Sequence, residues 1–328
     1  MTDFKKNIRK FNNFKNRSYK SLSIVGGGRW AQIYLIEIIK NFKNIKKVYI
    51  YTNHPQQIGN LIKKKKFDKI EIKKLNKLKK VKSKYFIIAN KNKDHIKFAK
   101  FLISLKCNIL VEKIFPLSLK DFQKLLIKLK KNKVNLFLSS QYFFANYFYF
   151  IKKRIIKINK IKKINIKWYD AVHEKRNGQL KKHDLKVNFL EDIFYHLNSI
   201  LNIFLGNGII DIREKVRKIN NLKTVNFLYK DSQINVRFTR VAKKRKRELV
   251  LFFKKNKITI NFSNDKKVIV KYDNQKIQIP NFVCHKTLKF QILDFLNSNH
   301  LNSKTNVNSL FNLKNLFISL NKLKKYIK

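Results

Sequence analysis

Three consecutive glycines, Gly26-Gly27-Gly28, stand between a short apolar run, Leu22-Ser23-Ile24-Val25, and an amphipathic stretch that begins at Trp30. A strand that enters a glycine turn and leaves as a helix gathers backbone N–H groups and the positive end of a helix at one point. A pyrophosphate is held by that arrangement. In Gly26-x-Gly28-x-x-Ala31, the first glycine permits the tight turn and the second lets a phosphate approach the backbone. The small Ala31 lets the helix pack close to the strand. The chain has only seven glycines, and three of them fall at this one place. A purely structural strand–helix turn is the alternative.

A second candidate is Glu112-Lys113, which follows the apolar run Asn108–Val111. Ligands of doubly wound sheets bind at the carboxyl ends of strands. An ammonium group there can donate to a substrate hydroxyl or carbonyl and stabilise the negative charge that builds up in hydride transfer. Among 77 Lys and Arg residues, the position of Lys113 carries this argument, not its type. Asp192 and His196 are spaced i, i+4 in the stretch Phe189–Phe204 and share one helix face. A carboxylate one turn from an imidazole can orient it and raise its basicity, which makes a proton carrier near neutral pH. By spacing alone, a dipole-favoured Asp at a helix start with a surface His is the simpler account. No third ligand is near, so no metal is expected. Cys107 and Cys284 are too few for a disulfide framework or a zinc site and fit a reducing, cytoplasmic setting. Arg176, Lys181 and Lys182, ahead of the Asp/His stretch, hint at an anionic group on a small-molecule substrate.

The elements around these residues follow from periodicity. Strands are expected at Leu22–Val25, Val48–Tyr51, Tyr85–Ala89, Asn108–Val111 and Val134–Ser139. Helices are expected at Trp30–Phe42, Gln56–Lys66, His95–Leu105 and Leu119–Lys131. Strand alternating with helix implies a parallel sheet covered on both faces. Beyond residue 150 the pattern changes to strands joined by short polar turns, at Ile161–Tyr169, Ile209–Lys218, Thr224–Lys230, Ile234–Arg240, Leu249–Phe253, Ile258–Phe262, Val268–Tyr272 and Ile277–Ile279. Helices at Phe189–Phe204, Lys286–Asn297 and Ser309–Lys325 accompany them. The fold class is α/β: a doubly wound parallel sheet, then an α+β domain on a large, mostly antiparallel open sheet. The expected division is a basic lead-in over 1–20, a dinucleotide-binding domain over 21–142 and a substrate and oligomerisation domain over 143–328.

The 328 residues carry 77 Lys+Arg against 19 Asp+Glu, a net charge of +58, with 44% hydrophobic and 13% aromatic residues. That much apolar material excludes a disordered chain. The charge invites a nucleic-acid reading. However, Lys, Asn, Ile, Phe and Tyr are enriched together while Ala, Gly and Pro are scarce, the pattern of AT-rich codons. The lysines are also spread along the whole length, so no specific nucleic-acid surface is expected. The longest uncharged run, Val134–Ile151, contains Asn135, Ser139, Ser140, Gln141 and Asn146 and is too polar for a membrane span. The N-terminus is basic without an apolar core and is not a secretory signal.

The dinucleotide preference turns on the end of the second strand. An NAD site places Asp or Glu there, about 20 residues past the glycines, to accept from the ribose 2′-hydroxyl. Here the strand ends Tyr51-Thr52-Asn53-His54, and no acidic residue lies between Glu37 and Asp68. Thr52 and Asn53 can donate to a 2′-phosphate, and Lys63 to Lys66 add a favourable field. NADP(H) is therefore favoured over NAD(H), which remains possible.

Taken in order, these motifs resemble the Gfo/Idh/MocA oxidoreductase family over nearly the whole chain. Gly26-Gly27-Gly28-Arg29-Trp30-Ala31 is similar to that family's cofactor loop. Asn92-Lys93-Asp94-His95 resembles its Asn-x-x-His, Val111-Glu112-Lys113 its Glu-Lys-Pro signature, and Asp192-x-x-x-His196 its Asp-x-x-x-His helix. Two departures stand out: Ile114 occupies the signature proline's position, and Asn90-Lys91 replaces the usual Thr-Pro. The resemblance implies a Rossmann domain and an α/β domain that bury the substrate between them. It also implies an NAD(P)-dependent dehydrogenase or reductase of sugars, cyclitols, nucleotide-linked sugars or other small carbonyl compounds, assembled as a homo-dimer or homo-tetramer through the C-terminal sheet. By resemblance, the cofactor contacts are the glycine loop, Thr52, Asn53, Asn90, Asn92, His95, Glu112 and Lys113. Lys113 holds the reacting oxygen, His196 is the general acid/base, and Asp192 assists it. Arg176 and Lys182 are the substrate-binding candidates. A non-catalytic dinucleotide-binding regulator of the same fold is the alternative.

Overall fold

The computed structural model describes residues 19–65, 69–80, 83–116, 118–154, 160–173, 175–176, 179–180, 187–212, 214–264, 267–279, 287–297 and 310–327. The lead-in up to residue 18, Lys66, Lys181, Lys182 and Cys284 lie outside them. The chain falls into two compact units: Met1–Phe144 with Lys286–Lys314, and Ala145–His285 with Asn315–Lys328.

The first unit runs β1 (Tyr19–Val25), α1 (Arg29–Asn41), β2 (Ile45–Thr52), α2 (Pro55–Lys65), β3 (Ile70–Lys74), β4 (Tyr85–Ile88), α3 (His95–Ser104), β5 (Asn108–Val111), α4 (Leu119–Asn132) and β6 (Leu136–Leu138). The strands pair in parallel in the order β3-β2-β1-β4-β5-β6. Helices cover both faces, so the central strands are apolar on both sides: Leu22, Ile24, Val25, Ile87, Ile88, Ile109 and Leu110 are fully buried. Strand order reverses between β1 and β4, and crevices at such points take ligands. Local chemistry marks the helix starts. Ser118 caps α4 by accepting from the Asp121 amide at 3.0 Å, and its own hydroxyl donates to the Asp121 carboxylate at 2.7 Å.

The second unit begins with α5 (Asn146–Arg154), β7 (Lys163–Ala171), a two-stranded piece of β8 (Lys175–Arg176) and β9 (Gln179–Leu180), and α6 (Phe189–Leu205). Then come β10 (Ile210–Ile212), β11 (Arg217–Ile219), β12 (Leu222–Tyr229), β13 (Ser232–Ala242), β14 (Lys246–Phe252), β15 (Lys257–Asn261), β16 (Ile269–Tyr272) and β17 (Gln275–Ile277). The large sheet runs β10-β12-β13-β7-β14-β15-β16-β17, with β11 beside β12; among its described residues only β13 and β7 pair in parallel. Along β7, Ile164, Ile166, Trp168 and Asp170 are buried on one face, while Lys163, Asn165, Lys167 and Tyr169 alternate with them at greater exposure. Asn188 caps α6 by accepting from the Leu190 amide at 2.9 Å. Glu191 and Asp192 sit in its first turn, where the helix dipole favours them.

Helix α7 (Thr287–Asn297) returns to the first unit, and α8 (Leu310–Ile327) ends the chain. Ile292, Leu293, Phe295 and Leu296 of α7 join the core built on Tyr34, Leu35 and Ile38 of α1. The Phe295 ring meets Tyr85 and Phe137 edge-on at 5.7 and 5.5 Å. In the second unit, Lys324 of α8 pairs with Glu191 at 3.1 Å.

Both sheets are as the sequence patterns imply. Several details differ: the β8–β9 hairpin was not anticipated, and β17 lies at Gln275–Ile277 and not at Ile277–Ile279. The run Ile209–Lys218 is two short strands, β10 and β11, not one. Strand β3 and helix α5 were not anticipated. Among the described residues, no helix is long and apolar enough to cross a membrane, and no group of three or more His, Cys, Asp or Glu side chains is placed to hold a metal.

Candidate functional site

Two of the three glycines are enforced by sterics. Gly26 has φ +130°, and a Cβ there would lie 2.6 Å from the Ala89 carbonyl oxygen, where the β4 end crosses under the loop. Its amide donates to the Tyr51 carbonyl at 2.9 Å. A Cβ on Gly27 would come within 2.4 Å of Thr52 Oγ1. Gly28 is exposed, has nothing within 4 Å of an added Cβ, and caps α1 without a side chain. Ala31 is 1% exposed behind it. Gln32 steadies the loop by donating from Nε2 to the Gly27 carbonyl at 3.1 Å. The loop is thus pinned from below and open at the helix N-terminus, a cradle that fits a pyrophosphate.

At the end of β2, Thr52 is 2% exposed and its hydroxyl accepts from the His54 amide at 3.0 Å. Its side chain therefore underpins Gly27, and Asn53 is the exposed polar residue next to it. Arg29 lies over the Trp30 ring at 5.6 Å.

The ends of β4 and β5 are tied together by a buried histidine. His95 opens α3 and is fully buried; its Nδ1 is 2.8 Å from the Ile114 carbonyl oxygen and its Nε2 is 3.1 Å from the Asn90 carbonyl oxygen. Both partners are acceptors, so only the doubly protonated ring donates to both, while burial holds the imidazole below its ordinary pKa. His95 braces the segments carrying Asn90 and Lys113. Ile114 is 4% exposed, and the Lys113–Ile114 peptide is cis.

Glu112 points into the protein. It is 3% exposed and accepts from the Tyr34 hydroxyl at 2.5 Å. Gln291 of α7 completes the network: its Nε2 donates to the Tyr34 oxygen at 2.9 Å and to Ser139 Oγ at 3.2 Å, and its Oε1 accepts from the Ser140 amide at 3.2 Å. Burial raises the Glu112 carboxyl, and the Tyr34 hydrogen bond opposes that. Burial, then the Glu112 charge, holds the Tyr34 hydroxyl well above its ordinary value. With Glu112 anchored below the surface and its amide donating to the Ile88 carbonyl at 2.8 Å, Lys113 emerges half-buried just past the carboxyl end of β5.

The first unit therefore gathers Gly26, Gly27, Gly28, Thr52, Asn53, Asn90, Asn92, His95, Glu112 and Lys113 along the carboxyl ends of β1, β2, β4 and β5. Within that set, the side chains of Thr52, His95 and Glu112 face inward as supports. Asp192 and His196 lie on α6 of the second unit. Asp192 pairs with Arg240 of β13 at 3.4 Å; Arg240 also donates to the Val187 carbonyl at 3.0 Å and lies over the Phe189 ring at 4.5 Å. The His196 imidazole is stacked on Trp168, with ring centroids 5.5 Å apart and planes 18° apart. Arg176 is in β8, and Lys182 lies outside the described residues. Sequence reasoning missed Tyr34, Ser139, Gln291 and Trp168 because their partners are remote in sequence and no local motif contains them.

Residues 20–140 match the sequence model of Gfo/Idh/MocA, described as an oxidoreductase family with an NAD-binding Rossmann fold. No curated protein matches over the chain. Among solved structures, UDP-N-acetylglucosamine 3-dehydrogenase GnnA from Acidithiobacillus ferrooxidans is similar at 11% identity and TM-score 0.73, over 95% of this chain and 98% of that one. The dehydrogenase MviM from Clostridium difficile is similar at 15% identity and TM-score 0.71, over 94% and 99%. Biliverdin reductase from Synechocystis sp. PCC 6803, in complex with biliverdin and NADP+, is similar at 12% identity and TM-score 0.67, over 94% and 98%. At these identities the likeness is one of fold.

Proposed function

We propose that this chain, whose residues 20–140 belong to the Gfo/Idh/MocA family of oxidoreductases with an NAD-binding Rossmann fold, moves a hydride between NADP(H) and a hydroxyl or carbonyl carbon of a sugar-like or nucleotide-linked sugar. The observation that carries the reading is the pairing, on one unit, of a sterically enforced glycine cradle with a half-buried lysine past the carboxyl end of β5. The nucleotide-sugar dehydrogenase among the structural relatives favours the same substrate class.

In this reading Gly28 and the first amides of α1 hold the pyrophosphate, and Asn53 faces the adenosine ribose. Asn90 and Asn92 line the path toward Lys113. When bound, the dinucleotide supplies or accepts the hydride. Lys113 donates a hydrogen bond to the reacting oxygen and stabilises the charge that grows there during transfer. His196 gives that oxygen a proton in the reductive direction and removes it in the oxidative one. Asp192, held by Arg240, keeps a carboxylate one helical turn from the imidazole. Arg176 and Lys182 are suited to an anionic substrate group.

The cofactor choice rests on the absence of a carboxylate from the sequence between Glu37 and Asp68. NADPH is expected to bind about three- to tenfold more tightly than NADH, the worth of one or two exposed hydrogen bonds to a phosphate. The advantage shrinks as salt rises, because Asn53 and Lys63, which supply it, are solvent-exposed. Fluorescence titration of both reduced dinucleotides at low and physiological ionic strength checks this. Tighter NADH at physiological salt overturns the preference and points to ribose recognition by backbone groups.

A further inference from the structure

The large sheet of the second unit carries a charged and aromatic assembly directly beneath His196. Trp168 of β7 stands on the buried face of that sheet at 3% exposure. Strand register places Arg247 of β14 and Phe238 of β13 directly beside it. The Arg247 guanidinium carbon lies 4.2 Å from the centre of the indole. That guanidinium is locked: it donates to the Asp170 carboxylate, to the Tyr169 carbonyl and, at 3.0 Å, to the Lys246 carbonyl. Asp170 and Arg247 are 3% and 2% exposed. The edge of Phe262 closes another side of the indole at 6.2 Å. A ring held by packing, a cation and register has little freedom to turn, and the imidazole of His196 lies nearly parallel to it.

We infer that Trp168 is the positioning residue of His196: the buried Arg247–Asp170 pair fixes the indole, and the indole fixes the plane of the imidazole. The inference rests on the reading of His196 as the proton carrier. Charged groups on the elements that carry this stack include Asp192, paired with Arg240 of β13, and Arg247, which lies over the indole and donates to Asp170. The indole stacked on the imidazole presents a flat surface that sets the ring's orientation. Trp168 touches no reacting atom in this account. Its role is to hold the imidazole in one plane and to couple its protonation to a π face.

The chain has two tryptophans, so a Trp30→Phe variant reports on Trp168 alone, and no substrate is needed. An imidazolium against an indole quenches its emission more than a neutral imidazole does. Emission of Trp30→Phe is expected to fall about twofold as pH drops through the histidine range of about 8 to 5. The step should vanish in Trp30→Phe/His196→Gln. By NMR, the His196 ring titration should keep its midpoint in Trp168→Phe and move by about half a pH unit or more in Trp168→Leu. Emission that ignores pH, a step that persists without His196, or a His196 midpoint indifferent to Trp168→Leu overturns the inference. If Trp168→Leu does not fold, the two fluorescence variants still decide. These measurements read the stack without turnover. A stack that titrates as expected in an enzyme indifferent to His196→Gln would overturn the proton-carrier reading instead.

Discussion

Lys113→Met is expected to lower turnover about a thousandfold, roughly 4 kcal/mol of lost transition-state stabilisation, with dinucleotide affinity nearly unchanged. Methionine keeps the apolar length of the side chain and removes the ammonium group. The backbone around it is held by groups the substitution does not touch. The Glu112 amide stays on the Ile88 carbonyl, the Glu112 carboxylate on Tyr34, and the Ile114 carbonyl on His95. Loss should therefore appear in kcat and in kcat/KM together, the mark of an interaction made in the transition state. Steady-state kinetics beside a fluorescence titration of NADPH separates the two effects. Unchanged turnover would remove Lys113 from the chemistry.

The largest expected effect on stability is at Asp170. Asp170→Ala should cost about 3–5 kcal/mol, because it strands the Arg247 guanidinium in a nearly dry site. The Asp170→Leu/Arg247→Met double variant should recover most of that loss, since a buried ion pair is worth little more than apolar side chains of similar volume. Urea denaturation of the second unit's transition measures both. A single variant within about 1 kcal/mol of the wild type would mean that water or another carboxylate reaches Arg247. The same double variant should weaken the Trp168 platform, so recovered stability with an altered His196 titration separates folding from positioning.

The sequence made much of this legible, and the rest was hidden for physical reasons. The glycine loop was readable because Gly26 needs a backbone conformation and a clearance that only glycine offers. Lys113 was readable because a short apolar strand announces its own carboxyl end. Strand β3, Ile-Glu-Ile-Lys-Lys, was overlooked because two isoleucines in a basic stretch look like a solvated loop. Helix α5, Asn-Tyr-Phe-Tyr-Phe-Ile-Lys-Lys-Arg, was overlooked because its aromatics show no clean helical period. The apolar face of α7 revealed a helix but not which core it would join. Gln291 reaches Tyr34 across 257 residues, a contact that no local pattern encodes. Thr52 and Glu112 were legible as members of motifs, but their inward orientation depends on Gly27 and Tyr34 beside them. The register that sets Arg247 against Trp168 becomes readable only once β7 and β14 are paired.

The measurement that tests the central claim most directly is transfer of deuterium. The protein is incubated with NADPH deuterated at C4, each face in turn, and with a panel of keto-sugars and nucleotide-linked keto-sugars. Mass spectrometry then follows the products. The account predicts a gain of one deuterium in a single product class, from one face of the dinucleotide only, and its loss in Lys113→Met. NADPH that binds tightly while no panel compound gains deuterium would contradict it, and would make the chain a dinucleotide-binding regulator on this fold.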